Sequence, residues 1–315
     1  MKRLMLISLI YSFLFLHDTN IIAQRVGSAP DFIRTLTSAW NGERLPDGRP
    51  HVPDHIIDRL KNVSIEEAWG ILRANGYNNQ YEGDWILINP DYPVMAGRVV
   101  TALYMPERPD LKDHIREQGL AEGRSPAGGT NSWPIDVLIP GDVYVADSYG
   151  KIEEGTLIGD NLGTAIYSNS GNGVIFNGSV RDMQGLRNIE GFTGWIKGHD
   201  PSYLRETMLT SINVPIRIGR VTVLPGDIVL ANEFGTIFIP AHLVEELVIQ
   251  AEFIMLRDEF GMQRLREGKY TPGQIDSRWS DEIREDFLSW LRNYPAGELP
   301  MTREELDDFL EHRTW

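Results

Sequence analysis

The chain contains no cysteine, which excludes disulfides, thiolate nucleophiles, zinc ribbons, iron–sulfur clusters and cysteine-linked lipid anchors. Any metal it holds must sit on oxygen or imidazole. Basic residues are in deficit: 30 Lys and Arg stand against 45 Asp and Glu in 315 residues, a formal net charge of −15 with a pI near 4.9. Nucleic-acid binding is dominated by Lys and Arg on phosphates, so no nucleic-acid partner is expected. HExxH, the P-loop, the GxSxG elbow and a full GxGxxG are absent, and Gly171 with Gly173 gives only a fragment of the last. What is present is globular: 42% hydrophobic residues, eight Trp and eleven each of Tyr and Phe, with only 24% charged.

Long apolar runs are missing too, except at the start. Lys2 and Arg3 precede Leu4–Leu16, a 13-residue run broken only by Ser8, Tyr11 and Ser12. At about 1.5 Å per residue such a helix covers roughly 20 Å, short of the roughly 30 Å hydrocarbon core. It reads as a signal peptide over residues 1–23, cleaved before Gln24, which predicts an exported, periplasmic or secreted protein. No membrane span is expected after that cleavage.

Three regions follow. Residues 24–63 form an N-terminal arm rich in Pro, Gly, Asp and Arg, in which Pro30, Pro46, Pro50 and Pro53 punctuate any helix. In residues 64–240 the pattern is mixed α/β. Ser64 and Glu67 make a capping box for a helix that Asn75-Gly76 stops. Strand-like runs occur at Trp85–Ile88, Val94–Met105 and Val137–Ala146, the last interrupted at Pro140-Gly141-Asp142, while 107–131 reads as a flexible loop. A helix over Asn161–Asn169 ends at Gly171, and a short buried strand, Val174–Asn177, precedes a helix opened by Arg181-Asp182. Strands at Thr193–Lys197, Val214–Ile218, Val221–Leu224, Ile228–Ala231 and Thr236–Ile239 complete the region. Residues 241–315 form a helical extension: one long helix broken at Thr271-Pro272-Gly273, then amphipathic stretches at Asp281–Arg292 and Thr302–His312.

Among chemistry-bearing residues, His51 and His55 are four apart, but Pro53 between them favours a surface role over a shared metal. His199, beside Asp200-Pro201, is a better candidate for a polar role at a cleft. Asn62-Val63-Ser64 and Asn177-Gly178-Ser179 match the glycosylation acceptor and receive no role. The informative pattern is Gly159-Asp160-Asn161-Leu162 followed, after twenty intervening residues, by Arg181-Asp182. The first turn places a carboxylate and free backbone N–H groups at a helix N-terminus, which favours an anionic ligand. The second places a guanidinium and a carboxylate at the exit of a buried strand, where α/β sheets bind ligands. If the turns are neighbours, Asp160 and Asp182 supply hard oxygen ligands for a hydrated divalent ion such as Mg²⁺, and Arg181 faces the same spot. A metal with an arginine stabilises a developing enolate, the charge that appears when a carbon–carbon bond next to a 2-oxo acid breaks. A capping Asp and an Arg–Asp pair at a turn are also common structural devices.

The order of Val94–Thr101, Gly141–Asp147, the Asp160-to-Asp182 unit, Val214-Pro215-Ile216 and Gly226–Asn232 ending in Gly235 resembles the RraA-like family. The resemblance covers roughly residues 64–240. It implies an α/β, β/β/α swivelling-type domain, here with a C-terminal helical extension, assembling as a homotrimer or hexamer with sites at subunit boundaries. The family includes class II 4-hydroxy-4-methyl-2-oxoglutarate aldolases, oxaloacetate decarboxylases and ribonuclease-regulating members without aldolase activity. In the aldolase branch the metal pattern is Asp, twenty residues, then Arg-Asp. By resemblance, Asp182 holds Mg²⁺ or Mn²⁺ directly, Asp160 through water, and Arg181 binds the 2-oxo group of a small 2-oxo acid and steadies the pyruvate enolate. Gly159, Asn161 and Leu162 receive its carboxylate. Glu233 and His199 are candidates for returning the proton. Three features depart from the pattern: the export signal, Asn161 in place of an apolar residue, and the additions outside the minimal domain, whose Trp279, Trp290 and Trp315 pack an oligomer or cover a neighbouring cleft. The alternative is a non-catalytic RraA-like protein that binds a partner.

Overall fold

The structure is a computed structural model that describes residues 25–312; the signal segment expected at 1–23 and Trp315 lie outside the described residues. Along the chain run α1 (Pro30–Leu36), α2 (Asp54–Leu60), α3 (Ile65–Ala74), β1 (Tyr81–Glu82), β2 (Ile86–Leu87), β3 (Met95–Pro106), α4 (Pro109–Ala121) and β4 (Asp142–Asp147). Then come α5 (Asp160–Ser170), β5 (Val174–Val180), α6 (Met183–Arg187), β6 (Gly194–His199), β7 (Thr207–Ile212), β8 (Ile216–Ile218), β9 (Val221–Val223), β10 (Ile228–Asn232) and β11 (Gly235–Ile239). The helices α7 (Val244–Arg266), α8 (Pro272–Ile275), α9 (Asp281–Arg292) and α10 (Arg303–His312) close the described chain.

The central sheet has the order β1-β11-β10-β3-β4-β5-β6-β2, with β7 also pairing β3. Strands β3, β4, β5 and β6 are mutually parallel, so their C-terminal ends, at Pro106, Asp147, Val180 and His199, share one edge. The alternation of their side chains sets the layers. Val100, Tyr144, Phe176 and Ile196 point to one face, where Ile166 of α5 and Leu186 of α6 cover them. Val99, Val143, Ile175 and Trp195 point to the other, where the β8–β9 hairpin packs through Ile216, Ile218, Val221 and Val223. Each of these fully buried apolar side chains contributes roughly 1.5–3 kcal/mol by leaving water. A third cluster joins α2, α3 and α7 to β10 and β11, and a fourth joins the second half of α7 to α9 and α10 through Phe253, Phe260 and Phe287.

The capping box forms as the sequence predicts: the Glu67 N–H donates to Ser64 Oγ at 3.1 Å and the Ser64 N–H to Glu67 Oε2 at 3.1 Å. Gly171 ends α5 with φ +66°, a left-handed cap that favours glycine. Helix α9 spans Asp281–Arg292, the predicted stretch, capped by Ser280. Other expectations fail. The stretch 107–131, read as a loop, contains the thirteen-residue α4, whose charged, Gly-interrupted sequence hides a helix that buries only Ile115 and Gly119. The arm's prolines start helices rather than exclude them, since Pro30 is the first residue of α1 and Pro53 directly precedes α2. Of Val137–Ala146, only the part from Asp142 is strand. Strand β7 escapes the sequence reading altogether. Among the described residues no helix is long and apolar enough to cross a membrane.

Candidate active site at the C-terminal edge of the parallel strands

Strand β5 delivers the Arg-Asp pair. Its last residue, Val180, accepts the Asp200 N–H at 3.1 Å, and the next N–H, of Arg181, donates to the Ile158 carbonyl at 2.9 Å. The backbone is therefore anchored on both sides before the chain turns at Asp182, whose φ of +56° and ψ of +40° are left-handed. Asp tolerates that region better than most residues but at a cost that surrounding structure must offset. Four of the six non-glycine residues with positive φ among the described residues, Tyr149, Glu154, Asp182 and Glu206, lie in the connections along this edge. Strain of this kind gathers where side chains must be aimed rather than merely accommodated.

Arg181 Nη1 lies 3.2 Å from Asp182 Oδ2, and each side chain is 38% exposed. The guanidinium also lies over the ring of Tyr203 at 5.3 Å, a cation–π contact that holds it without using its N–H donors. Helix α5 faces this turn with its N-terminus. Gly159 is its N-cap and supplies no capping side chain, while Asp160 Oδ1 accepts the Asn161 N–H at 2.8 Å. Leu162 packs its side chain against the core, so only its backbone faces the turn.

Three glycines decide how close the turns come. A Cβ on Gly159 would collide with the Asp182 carboxylate and press on Arg181, so the missing side chain makes room for the pair. A Cβ on Gly185, in α6, would lie 2.6 Å from Asp160 Oδ2. One on Gly163 would run into Leu186. The α5 and α6 turns are thereby packed together, with Asp182 against Gly159 and Asp160 against Gly185, although twenty residues separate Asp160 from Arg181 in sequence. Among the described residues no group of three or more His, Asp or Glu side chains is arranged to hold a metal. Two carboxylates, Asp182 exposed and Asp160 half-buried, are the kind of oxygen donors that suit a hard divalent ion that keeps most of its waters.

His199 ends β6 directly opposite Val180 in register and is exposed, which puts it on the same edge. Its neighbour Asp200 is held below the usual carboxylate range by hydrogen bonds from Ser202. Glu233 falls elsewhere. It sits in the β10–β11 turn, next to Asn232, whose carbonyl accepts the Trp195 indole N–H at the start of β6, so within one chain it lies at the opposite edge of the sheet. The antiparallel return of β10 along β3 is what carries it there. His51 approaches Glu43 at 3.6 Å and His55 is exposed on α2; the two share no site. Tyr203 and Gly185 were not legible in the sequence, because each matters only through a partner brought in by folding. The same edge carries a concavity of about 410 Å³ beyond the ends of β3 and β4, lined by Tyr149, Lys151 and Glu206, residues that no motif marks.

Known proteins resemble this chain in sequence and fold. A protein of Shewanella oneidensis, provisionally named a 4-hydroxy-4-methyl-2-oxoglutarate aldolase, is 35% identical over 95 residues, covering 30% of this chain and 57% of that protein. A Halalkalibacterium halodurans protein with the same provisional name is 28% identical over 127 residues, 38% of this chain and 56% of that one. The chain thus spans little more than half the length of these curated relatives. The solved structure of Streptomyces coelicolor RraAS2, described as an unusual member of the RNase ES inhibitor RraA protein family, superposes with a TM-score of 0.58 at 26% identity, covering 68% of this chain and all of that one. The RraA-like family, described as Aldolase/RraA, matches residues 55–238. With a β/β/α core that carries the Asp160 and Arg181-Asp182 turns at one edge, and with that match over more than half its length, the chain belongs to the RraA-like family.

Proposed function

We propose that the chain is a divalent-metal-dependent carbon–carbon lyase that cleaves or decarboxylates a small 2-oxo acid through a pyruvate enolate. The observation that carries this reading is the packing of the Asp160 turn on the Arg181–Asp182 turn, where Gly159 lies against Asp182 and Gly185 against Asp160 with no room for a side chain. The carboxylate donors suit Mg²⁺ or Mn²⁺, which Asp182 and Asp160 would hold. Bound there, the ion supplies a Lewis acid beside the 2-oxo group. Arg181, steadied over Tyr203, turns its free N–H donors toward the oxygen on which enolate charge develops, a preorganised stabilisation of the transition state. The first turn of α5, from Gly159 to Leu162, offers backbone N–H groups and a helix dipole to the substrate carboxylate; Asn161 must first release the Asp160 oxygen it now holds. His199, which lies on the same edge, is the candidate for returning a proton to the enolate carbon. Export through residues 1–23 and assembly as a homotrimer or hexamer belong to the same proposal.

The test is pyruvate release from oxaloacetate and from 4-hydroxy-4-methyl-2-oxoglutarate, with Mg²⁺ and again with EDTA. Release that EDTA and Asp182→Ala both abolish is the expected result. No release from folded, Mg²⁺-loaded protein, or unchanged release from the Asp182→Ala variant, sinks the mechanism. The reading then passes to a non-catalytic partner-binding protein on the same scaffold, which the likeness to RraAS2 supports.

A further inference from the structure

We infer that the chain carries a second small-molecule site, a cavity that binds a small organic ammonium ion with an apolar body, its charge on Asp227 and its body against Trp40 and Tyr77. The cavity is about 300 Å³, within the range of small-ligand sites. Its walls come from four places: residues 36–40 at and after the end of α1, Tyr77 and Gln80 between α3 and β1, Thr222 of β9 with Leu224 and Asp227 before β10, and residues 240–242 after β11. Residues 36–40 and 240–242 lie outside the family match at 55–238, so the cavity is closed by parts of the chain that the family match does not include.

Asp227 is the reason to expect a cation. Among the described residues three acidic side chains are buried, Asp142, Asp227 and Glu252. Asp142 receives both Nη groups of Arg49 at 2.9 Å, and Glu252 receives Arg59. Asp227, 96% buried, has no cation: one oxygen accepts the Leu224 N–H at 2.8 Å, and the other has no hydrogen-bond partner among the described residues. The bond to Leu224 closes a turn, but a turn needs only one oxygen and does not require burial. A buried carboxylate without a counter-charge is costly, and the other two show how this molecule otherwise resolves that cost.

The rest of the wall leaves the cation's place open. Among the described residues no Lys or Arg lines the cavity. Its titratable groups are Asp227, His242 and Tyr77; burial lowers the His242 pKa, which keeps the ring neutral near pH 7, and its Nε2 is engaged with the Tyr77 hydroxyl at 3.3 Å. Burial raises Asp227 to about 7, so an arriving ammonium ion drives off the carboxyl proton near neutrality. Trp40 commits its indole N–H to the Glu43 carbonyl, which leaves only ring surface for a ligand. The acidic chain concentrates cations at its surface.

The experiment is calorimetric titration of the full chain at pH 8 with phenethylammonium and with its uncharged analogue 2-phenylethanol, repeated on Asp227→Asn and Trp40→Ala. Saturable binding of the amine, at least about tenfold tighter than the alcohol and weakened about tenfold or more in either variant, is expected. Titration at pH 7 in two buffers of different ionisation enthalpy is expected to show proton release on binding. No saturable binding to wild type, or equal binding of amine and alcohol, overturns the proposal. Undiminished amine binding by Asp227→Asn does so as well; if that variant does not fold, the alcohol comparison and Trp40→Ala decide.

Discussion

Two arginine–aspartate pairs stand at opposite ends of the same parallel strands and do opposite things. Arg49 and Asp142, at the start of β4, meet through two bonds of 2.9 Å with side chains 1% and 0% exposed, and Arg49 Nε also reaches Asp47 at 2.6 Å. Arg181 and Asp182, beyond the end of β5, share one contact of 3.2 Å and stay 38% exposed. Burial by itself lowers the Arg49 pKa, but the Asp142 and Asp47 carboxylates more than offset it and hold the guanidinium charged. In the buried pair every strong interaction is spent on the fold, here on pinning the N-terminal arm to the sheet. Among the described residues Arg181 has one contact at hydrogen-bonding distance, to Asp182, and its remaining N–H donors are available to a ligand. The difference teaches that residue type says little about role until burial and leftover hydrogen-bonding capacity are counted.

The comparison can be broken most decisively at Arg49. Arg49→Met leaves Asp142 buried with the Ile139 N–H at 3.1 Å and Arg98 Nε at 3.7 Å as its remaining polar neighbours, and should cost about 3–5 kcal/mol in urea unfolding while pyruvate release per folded molecule is retained. A cost under about 1 kcal/mol would show that the arm is not held this way. Arg181→Met should do the reverse: pyruvate release falls about 10²- to 10³-fold, with stability changed by less than about 1 kcal/mol. Gly159→Ala, whose Cβ runs into Asp182, should lower release about ten- to a hundredfold by displacing that carboxylate, an effect absent if Asp182 has no part in turnover.

Asp227 extends the comparison to a buried acid with no arginine at all. Its pKa is raised from the ordinary carboxylate range to about 7, so the folded chain binds a proton that the unfolded chain has lost between about pH 4 and 7. The stabilisation is full below about pH 4 and is lost as pH rises through 7. Urea midpoints of wild type and Asp227→Asn should therefore diverge by more than about 1 kcal/mol across that window, wild type falling relative to the variant; parallel curves contradict the assignment. The smallest effect is expected where burial is intermediate. Arg59 binds the buried Glu252 and, at 2.7 Å, the partly exposed Glu305 of α10, so Glu305→Ala should cost about 1 kcal/mol and loosen only the helical tail, which hydrogen exchange in α10 can follow.

How far the sequence could be read depended on whether the deciding interaction was local. The Ser64–Glu67 box, the Gly171 stop and the Ser280-capped α9 are settled by neighbours within four residues, and all were legible. The Asp160 and Arg181-Asp182 turns were legible by spacing and resemblance. Helix α4 was not, because its two buried residues, Ile115 and Gly119, make too thin an apolar stripe, and Gly119 is buried against Trp133, a long-range contact. Strand β7 is held by pairing with β3, more than a hundred residues away in sequence. Glu233 looked eligible as a proton donor until the antiparallel return of β10 placed it at the far edge.

The mixed α/β class, the absence of thiol chemistry, the acidic character, the helical tail and the spacing of Asp160 from Arg181-Asp182 were already set by the sequence. These follow from composition, periodicity and short-range capping, which are properties of the chain before it folds. It took the tertiary structure to settle which arginine–aspartate pair is sealed and which is open, that Gly159 and Gly185 let two distant turns close on one another, and that Asp227 is buried with no counter-charge among the described residues. Burial and proximity depend on which strands pair and which helices cover them, and no residue carries that information alone.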